Sequence, residues 1–221
     1  MTRKFTMPGF LRARLSAGMA GKSLFLPSFE RYGITVCHEK KFIWYRVAKV
    51  GTRTIYDVSD KADLKLINKR VTFYSNPANR YPHYFKFAFV RNPWDRLVSC
   101  WKDKVVSYNY FGFSDSDRSK MKSFENFVAF LEDVDIESCD LHLRSQSKLV
   151  DVDNLDYIGR FESFSSDLHA LVQKLELGEA KIKRLNASDN RKNYRKYYDE
   201  ALRQMVASIY REDIEIFSYD F

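Results

Sequence analysis

Two short stretches of this chain place basic and hydroxyl side chains where a strand gives way to a helix, a pattern that holds anions. Residues 86–104 read KFAFVRNPWDRLVSCWKDK. The apolar run Phe87 to Val90 has strand character and stops on Arg91-Asn92-Pro93. From Trp94 the spacing of Leu97, Val98 and Trp101 predicts a helix. Such a unit brings Arg91 to the carboxyl end of a strand and carries Ser99 two turns into the helix. A guanidinium offers a planar fork of donors, and a hydroxyl adds one more donor to the same oxygens. Arg-x₇-Ser recurs in many proteins, so it gains meaning only beside a second half.

Residues 42–56, FIWYRVAKVGTRTIY, supply that half. Phe42 to Val47 reads as a strand that runs into Lys49-Val50-Gly51-Thr52-Arg53-Thr54 and then a helix-compatible segment, Ile55 to Val58. Gly51 permits a tight turn, the following N–H groups point at whatever sits over the helix start, and Lys49 adds a full positive charge. The order differs from a Walker A loop, which needs an earlier Gly and a Lys directly before the hydroxyl residue. A plain strand-to-helix connection is the alternative reading of this turn.

Two such sites suggest a ligand with phosphates at both ends. Together they resemble the membrane-derived type of sulfotransferases, the broad family 2 that includes carbohydrate sulfotransferases and many bacterial relatives. These use 3′-phosphoadenosine 5′-phosphosulfate (PAPS) as sulfuryl donor. The resemblance implies that Lys49, Gly51, Thr52, Arg53 and Thr54 hold the 5′-phosphosulfate and that Arg91 and Ser99 hold the 3′-phosphate. It continues through Asp156-Tyr157-Ile158-Gly159-Arg160-Phe161-Glu162 and the C-terminal run from Arg191, covering about residues 40–221. It also implies that Arg191 or Lys192 lies over the nucleotide. Two positions depart from the family pattern: Ala48 stands where Pro is usual, and Arg53 replaces a small residue. Neither change removes a backbone donor.

Sulfuryl transfer runs in line to an acceptor oxygen or nitrogen, and negative charge grows on the leaving phosphate oxygen. Lys49 and the loop amides suit that charge, and positioning carries much of the work. Side chains can neutralise it, so the chemistry calls for no metal, and no His, Cys and carboxylate cluster has ligand spacing. A hydroxyl acceptor wants a general base. His38 and His83 precede predicted strands, at the end away from the donor site, and His169 falls inside an amphipathic helix. His142, in Cys139-Asp140-Leu141-His142-Leu143-Arg144-Ser145-Gln146, resembles a family segment carrying His and Gln on the acceptor side, and is the best candidate. Glu162 is the carboxylate alternative, or a partner for Arg160. The family implies a hydroxyl acceptor of carbohydrate type, a glycan or glycolipid, whose identity the sequence leaves open.

A net charge of +8 favours an anionic cosubstrate but would equally suit nucleic acid. Rival readings are therefore a non-catalytic RNA- or polyanion-binding α/β domain and a nucleotide kinase. No RNP-type or Gly-x-x-Gly signature supports the first, and the missing Walker A order disfavours the second. Three scattered cysteines, Cys37, Cys100 and Cys139, are too few for a disulfide framework and fit a reducing compartment. The basic N-terminal stretch has no apolar run long enough for a signal peptide or membrane span. A soluble, cytoplasmic protein of bacterial or phage type is the expectation, with a Golgi lumen placement only for a trimmed chain.

The chain length suits one well-buried core. Residues 1–39 read as a basic arm and 40–221 as the sulfotransferase domain. Residues 59–70 look helical, 76–82 a turn-rich loop, and 106–120 a loop where an acceptor or lid would sit. Ser123 caps a helix from Phe124 to Glu132, a strand follows at 155–161, and Ser163 opens a helix through Leu175, stopped by Gly178. The last helix, Tyr197 to Tyr210, carries the apolar stripe Leu202, Met205, Val206 and Ile209. Alternating strands and helices predict a single α/β domain with a central, mostly parallel sheet flanked by helices. The resemblance makes that architecture P-loop-like. Ligands of such sheets sit beyond the carboxyl ends of the strands, where both phosphate loops fall.

Overall fold

The computed structural model describes residues 31–67, 73–75, 77–178 and 194–221. They form two compact units, one from the described residues of 31–92 and 146–178, the other from 93–145 and 194–221.

The first unit is built on the sheet. Strands β1 (Arg31–Cys37), β2 (Phe42–Tyr45), β3 (Leu66–Ile67), β5 (Phe85–Val90) and β6 (Tyr157–Arg160) lie in the order β3-β1-β2-β5-β6, and β4 (Phe73–Ser75) pairs with β1. Its parallel part is β2-β5-β6, with Trp44 opposite Phe87 and Phe89 opposite Gly159. Strands β1, β3 and β4 extend it in antiparallel fashion. The fold class is the expected α/β, and the three parallel strands are those that carry the candidate loops.

Apolar and aromatic residues saturate β2 and β5 because both are interior strands, covered on their faces. Phe42, Trp44 and Phe87 face helices α1 (Thr52–Lys61) and α6 (Phe164–Lys174), which contribute Ile55, Val58, Leu168, Leu171 and Val172. Tyr45, on the opposite face, reaches Asp151 with its hydroxyl at 3.4 Å. Phe89 fills the space that Gly159 leaves by lacking a Cβ, so close packing of β5 on β6 depends on that glycine.

Three expectations need correction. Residues 31–37 belong to the sheet rather than to an N-terminal arm; Ile34, Val36 and Cys37 are fully buried there, against β2. His38 lies in the turn between β1 and β2, at the start of β2 as expected, where Nδ1 meets the Tyr84 hydroxyl at 2.7 Å. The helix read over 59–70 instead ends at Lys61, and Leu66–Ile67 pairs with Cys37 and Val36. The apolar residues at 64–67 were compatible with either period, and an open edge of β1 selected the strand. Within 76–82, Pro77–Arg80 forms one helical turn, α2.

The second unit is helical: α3 (Pro93–Trp101), a π-helical turn (Lys102–Ser107), α4 (Asp115–Met121), α5 (Phe124–Leu131), α7 (Glu200–Ile209) and α8 (Arg211–Phe217). Caps define their starts. Ser114, Ser123 and Asp199 each accept a main-chain N–H three residues on. Trp94, Leu97, Phe124, Phe127, Leu131, Val206 and Tyr210 form the core, and Leu202, Met205 and Ile209 pack against it as the stripe predicts. Among the described residues no helix is long and apolar enough to cross a membrane.

Candidate active site

In the first unit, parallel pairing forces three strand ends to one edge of the sheet. Tyr45 lies opposite Ala88 and Val90 opposite Arg160, so the chain leaves β2, β5 and β6 side by side. The three exits are residues 46–51, Arg91-Asn92 and Phe161-Glu162-Ser163.

The first exit is the Lys49 loop. Lys49 itself is left-handed at φ 73°, a conformation that costs an L-residue about 1–2 kcal/mol. Gly51 follows at φ 84° as N-cap of α1 and lends no side chain to the helix start. A Cβ at Gly51 would come within 2.7 Å of the Phe164 ring, so the position demands glycine on two counts. The Thr52 hydroxyl turns back to the Val47 carbonyl at 3.3 Å, closing the loop. Arg53 is exposed, whereas Lys49, Thr52 and Thr54 are half-buried. A helix start has N–H groups without an intrahelical acceptor and a partial positive charge, and the neighbouring ammonium adds to it. The loop is thus chemically suited to a phosphate or sulfate oxygen.

Arg91 stands beside this loop. Its Nη1 donates to the Lys49 carbonyl at 2.9 Å, and its guanidinium lies 4.0 Å from the centre of the Phe161 ring. Gln146, fully buried, grips the Arg91 main chain on both sides: its Oε1 accepts the N–H at 2.9 Å, and its Nε2 donates to the carbonyl at 2.8 Å. Glu162 Oε1 accepts the Asn92 N–H at 2.7 Å, and the Arg160 N–H goes to Asp167. The carboxylate offered as an alternative base is therefore a brace between strand ends. The sheet thus brings together Lys49, Gly51, Thr52, Arg53, Thr54 and Arg91. Gln146 and Phe161 are additions to the site: both lie in segments that the resemblance covers, but their pairing with Arg91, 55 and 70 residues away, leaves no local mark.

Ser99 and His142 belong to the second unit. Ser99 is half-buried on α3. The segment holding His142 is pinned by its main chain. Buried Arg96 donates to the Arg144 and Leu141 carbonyls at 2.8 and 2.9 Å, and the Tyr210 hydroxyl donates to the Leu143 carbonyl at 2.7 Å. His142 Nδ1 lies 2.8 Å from Asp140 Oδ1, which also accepts the His142 N–H at 2.9 Å. Tyr110 donates its hydroxyl to Asp140 Oδ2 at 3.1 Å, and its ring meets the imidazole edge-on at 4.9 Å. Burial alone would raise the Asp140 carboxyl, but the hydrogen bonds from His142 and Tyr110 outweigh it and hold the group below the usual carboxylate range. Burial, with the Asp140 charge beside it, pushes the Tyr110 hydroxyl up to about 12. The Asp-x-His spacing was present in the sequence; the convergence of Tyr110 upon it was not. Arg191 and Lys192 lie outside the described residues. Among the described residues no three His, Cys, Asp or Glu side chains gather as a metal centre.

Comparison with known proteins agrees with this chemistry. The chain is 28% identical over 190 residues to human carbohydrate sulfotransferase 9, a match covering 72% of this chain and 41% of that protein. It is 26% identical over 167 residues to carbohydrate sulfotransferase 14 of mouse and of human, covering 65% of this chain and 44% of each. The matches thus span less than half the length of these relatives. No solved structure matches the chain significantly. The model of the sulfotransferase family matches residues 32–220, which runs from β1 to the penultimate residue, and the chain belongs to that family.

Proposed function

We propose that this protein transfers a sulfuryl group from 3′-phosphoadenosine 5′-phosphosulfate to a hydroxyl of a carbohydrate acceptor, a glycan or glycolipid. The observation that carries the reading is the bond from Arg91 to the Lys49 carbonyl, which ties two basic strand exits together at one sheet edge. Family membership supports sulfuryl transfer, and the names of the relatives support a carbohydrate acceptor.

In this reading the loop from Lys49 to Thr54 is P-loop-like. Its amides and the Lys49 ammonium hold the 5′-phosphosulfate, and Lys49 neutralises the charge that grows on the leaving phosphate oxygen. Arg91 and Ser99, with Arg191 and Lys192, take the 3′-phosphate. His142 accepts the proton of the attacking hydroxyl. Neutralisation by these side chains leaves no step that calls for a metal.

A thermal-shift comparison of 3′,5′-bisphosphoadenosine, ATP and a short RNA, followed by radiolabelled sulfate transfer to glycan, lipid and small-molecule pools, tests the assignment. Strong stabilisation by the bisphosphate and label on a glycan are the expected results. Preferential stabilisation by RNA or ATP would replace the reading with a nucleic-acid binder or a kinase.

A further inference from the structure

Two side chains, Asp140 from its own segment and Tyr110 from the loop after the π-helical turn, meet His142 in an arrangement that the reaction above does not by itself require. Asp140 Oδ1 takes Nδ1 at 2.8 Å, and Oδ2 takes the Tyr110 hydroxyl at 3.1 Å. Lys104, from the π-helical turn, sits 4.5 Å from the Tyr110 ring centre and 3.4 Å from Asp103. The imidazole and the carboxylate are each mostly covered, with side chains 16% and 18% exposed. A π-helical turn inserted directly after an α-helix is itself a recurrent feature of functional sites.

We infer that Asp140 is a positioning residue which locks His142 in the Nδ1–H tautomer, leaving Nε2 as the proton acceptor, with Tyr110 as the strut that holds the carboxylate. The inference rests on the assignment of His142 as the base. The geometry decides the tautomer. An ionised carboxylate only accepts hydrogen bonds, so a nitrogen 2.8 Å from it must carry the proton, and the other ring nitrogen is left with its lone pair. Asp140 is ionised at neutral pH, because its hydrogen bonds keep it below the ordinary carboxylate range. The base, oriented by a carboxylate that is itself oriented, follows the logic of catalytic triads on unrelated folds. As the acceptor oxygen bonds to sulfur and the sulfur–oxygen bond to the leaving phosphate breaks, Nε2 takes the hydroxyl proton. The positive charge that results on the imidazole is stabilised by Asp140.

The charged and titratable groups in the cluster of His142, Asp140 and Tyr110 and beside it include Asp140 and Arg144 on the histidine's own segment, Tyr110 from the loop, Lys104 over the Tyr110 ring with Asp103 beside it, and Cys100 on α3 near Tyr110. Of these, Asp140 alone is hydrogen-bonded to the ring in the contacts described above.

The test uses the full chain with ¹⁵N-labelled histidine. Imidazole nitrogen shifts, assigned by their loss in His142→Ala, should show a protonated Nδ1 and an unprotonated Nε2. Asp140→Ala should shift that population toward the Nε2–H form. Asp140→Asn can still accept the His142 N–H, so it guards against a variant that loses the turn. It should lower kcat by about tenfold or more at unchanged bisphosphate binding, and Asp140→Glu should restore part of it. Its rate profile should lose activity at a lower pH than the wild type, a change that a purely structural carboxylate would not produce. An Nε2–H form in the wild type, nitrogen shifts unchanged in Asp140→Ala, or a pH profile unchanged in Asp140→Asn, would overturn the inference. Full activity of His142→Ala would instead remove the base assignment, and the nitrogen shifts would still decide whether Asp140 holds the ring.

Discussion

The Arg91 guanidinium donates to the main-chain carbonyl of Lys49 across 42 residues of sequence, at 2.9 Å. One cation therefore braces the loop whose other cation is held in a left-handed backbone conformation. Such strain persists where the surroundings over-determine it, and it clusters at ligand-binding sites.

Arg91→Ala should weaken binding of 3′,5′-bisphosphoadenosine by about 1.5–3 kcal/mol, the scale of a charged hydrogen bond. The wild type should be stabilised far more by the bisphosphate than by 5′-AMP. Titration calorimetry with both nucleotides checks this, and equal affinity for the two would remove the 3′-phosphate role of Arg91 and Ser99.

Lys49→Ala should separate binding from chemistry. Its charge matters most when the leaving oxygen develops its own, so kcat should fall by more than donor affinity does. Single-turnover and saturation kinetics distinguish the two, and normal turnover at saturation would make Lys49 a binding residue only.

Gln146→Ala strips two hydrogen bonds from the Arg91 main chain in a fully buried position. A loss of about 2–4 kcal/mol is expected, from two missing bonds and the unsatisfied groups left behind. Denaturant unfolding measures it. Donor affinity should fall in parallel, because Arg91 is no longer held at the strand end.

Asp140 predicts a pH signature in stability. Its folded carboxyl lies below the unfolded value, so its contribution is complete above the unfolded pKa of about 3.9 and is lost as pH falls through the lower folded value. The stability gap between the wild type and Asp140→Asn should persist at neutral pH and close only in that acidic window. Thermal unfolding across pH 2–7 follows it, and a gap that closed near pH 6 would point to another group.

Much of the site was legible in one dimension because its parts are local. A strand that runs out before Lys49-Val50-Gly51 and another that stops before Arg91-Asn92-Pro93 announce their turns through residue type, and the helix stripes at 94–101 and 202–209 follow from period alone. The cap at Ser123 and the helix start at Ser163 were readable for the same reason, since a helix start involves only residues a few positions apart. Strand β1 was not, because Gly33 interrupts its pattern and its place in the sheet depends on β2, β3 and β4.

What the sequence by itself determined is the set of chemical parts: a basic turn, an Arg at a strand end, a helix hydroxyl and an Asp-x-His segment. What only the tertiary structure decided is which of them meet. Side-chain hydrogen bonds act over about 3 Å and carry no trace along the chain, so Gln146 on Arg91, Glu162 on Asn92 and Tyr110 on Asp140 became visible only once the chain was folded. The parallel register of β2, β5 and β6 brings three distant loops to one edge, and that register is fixed by packing against α1 and α6, a property of the whole unit rather than of any segment.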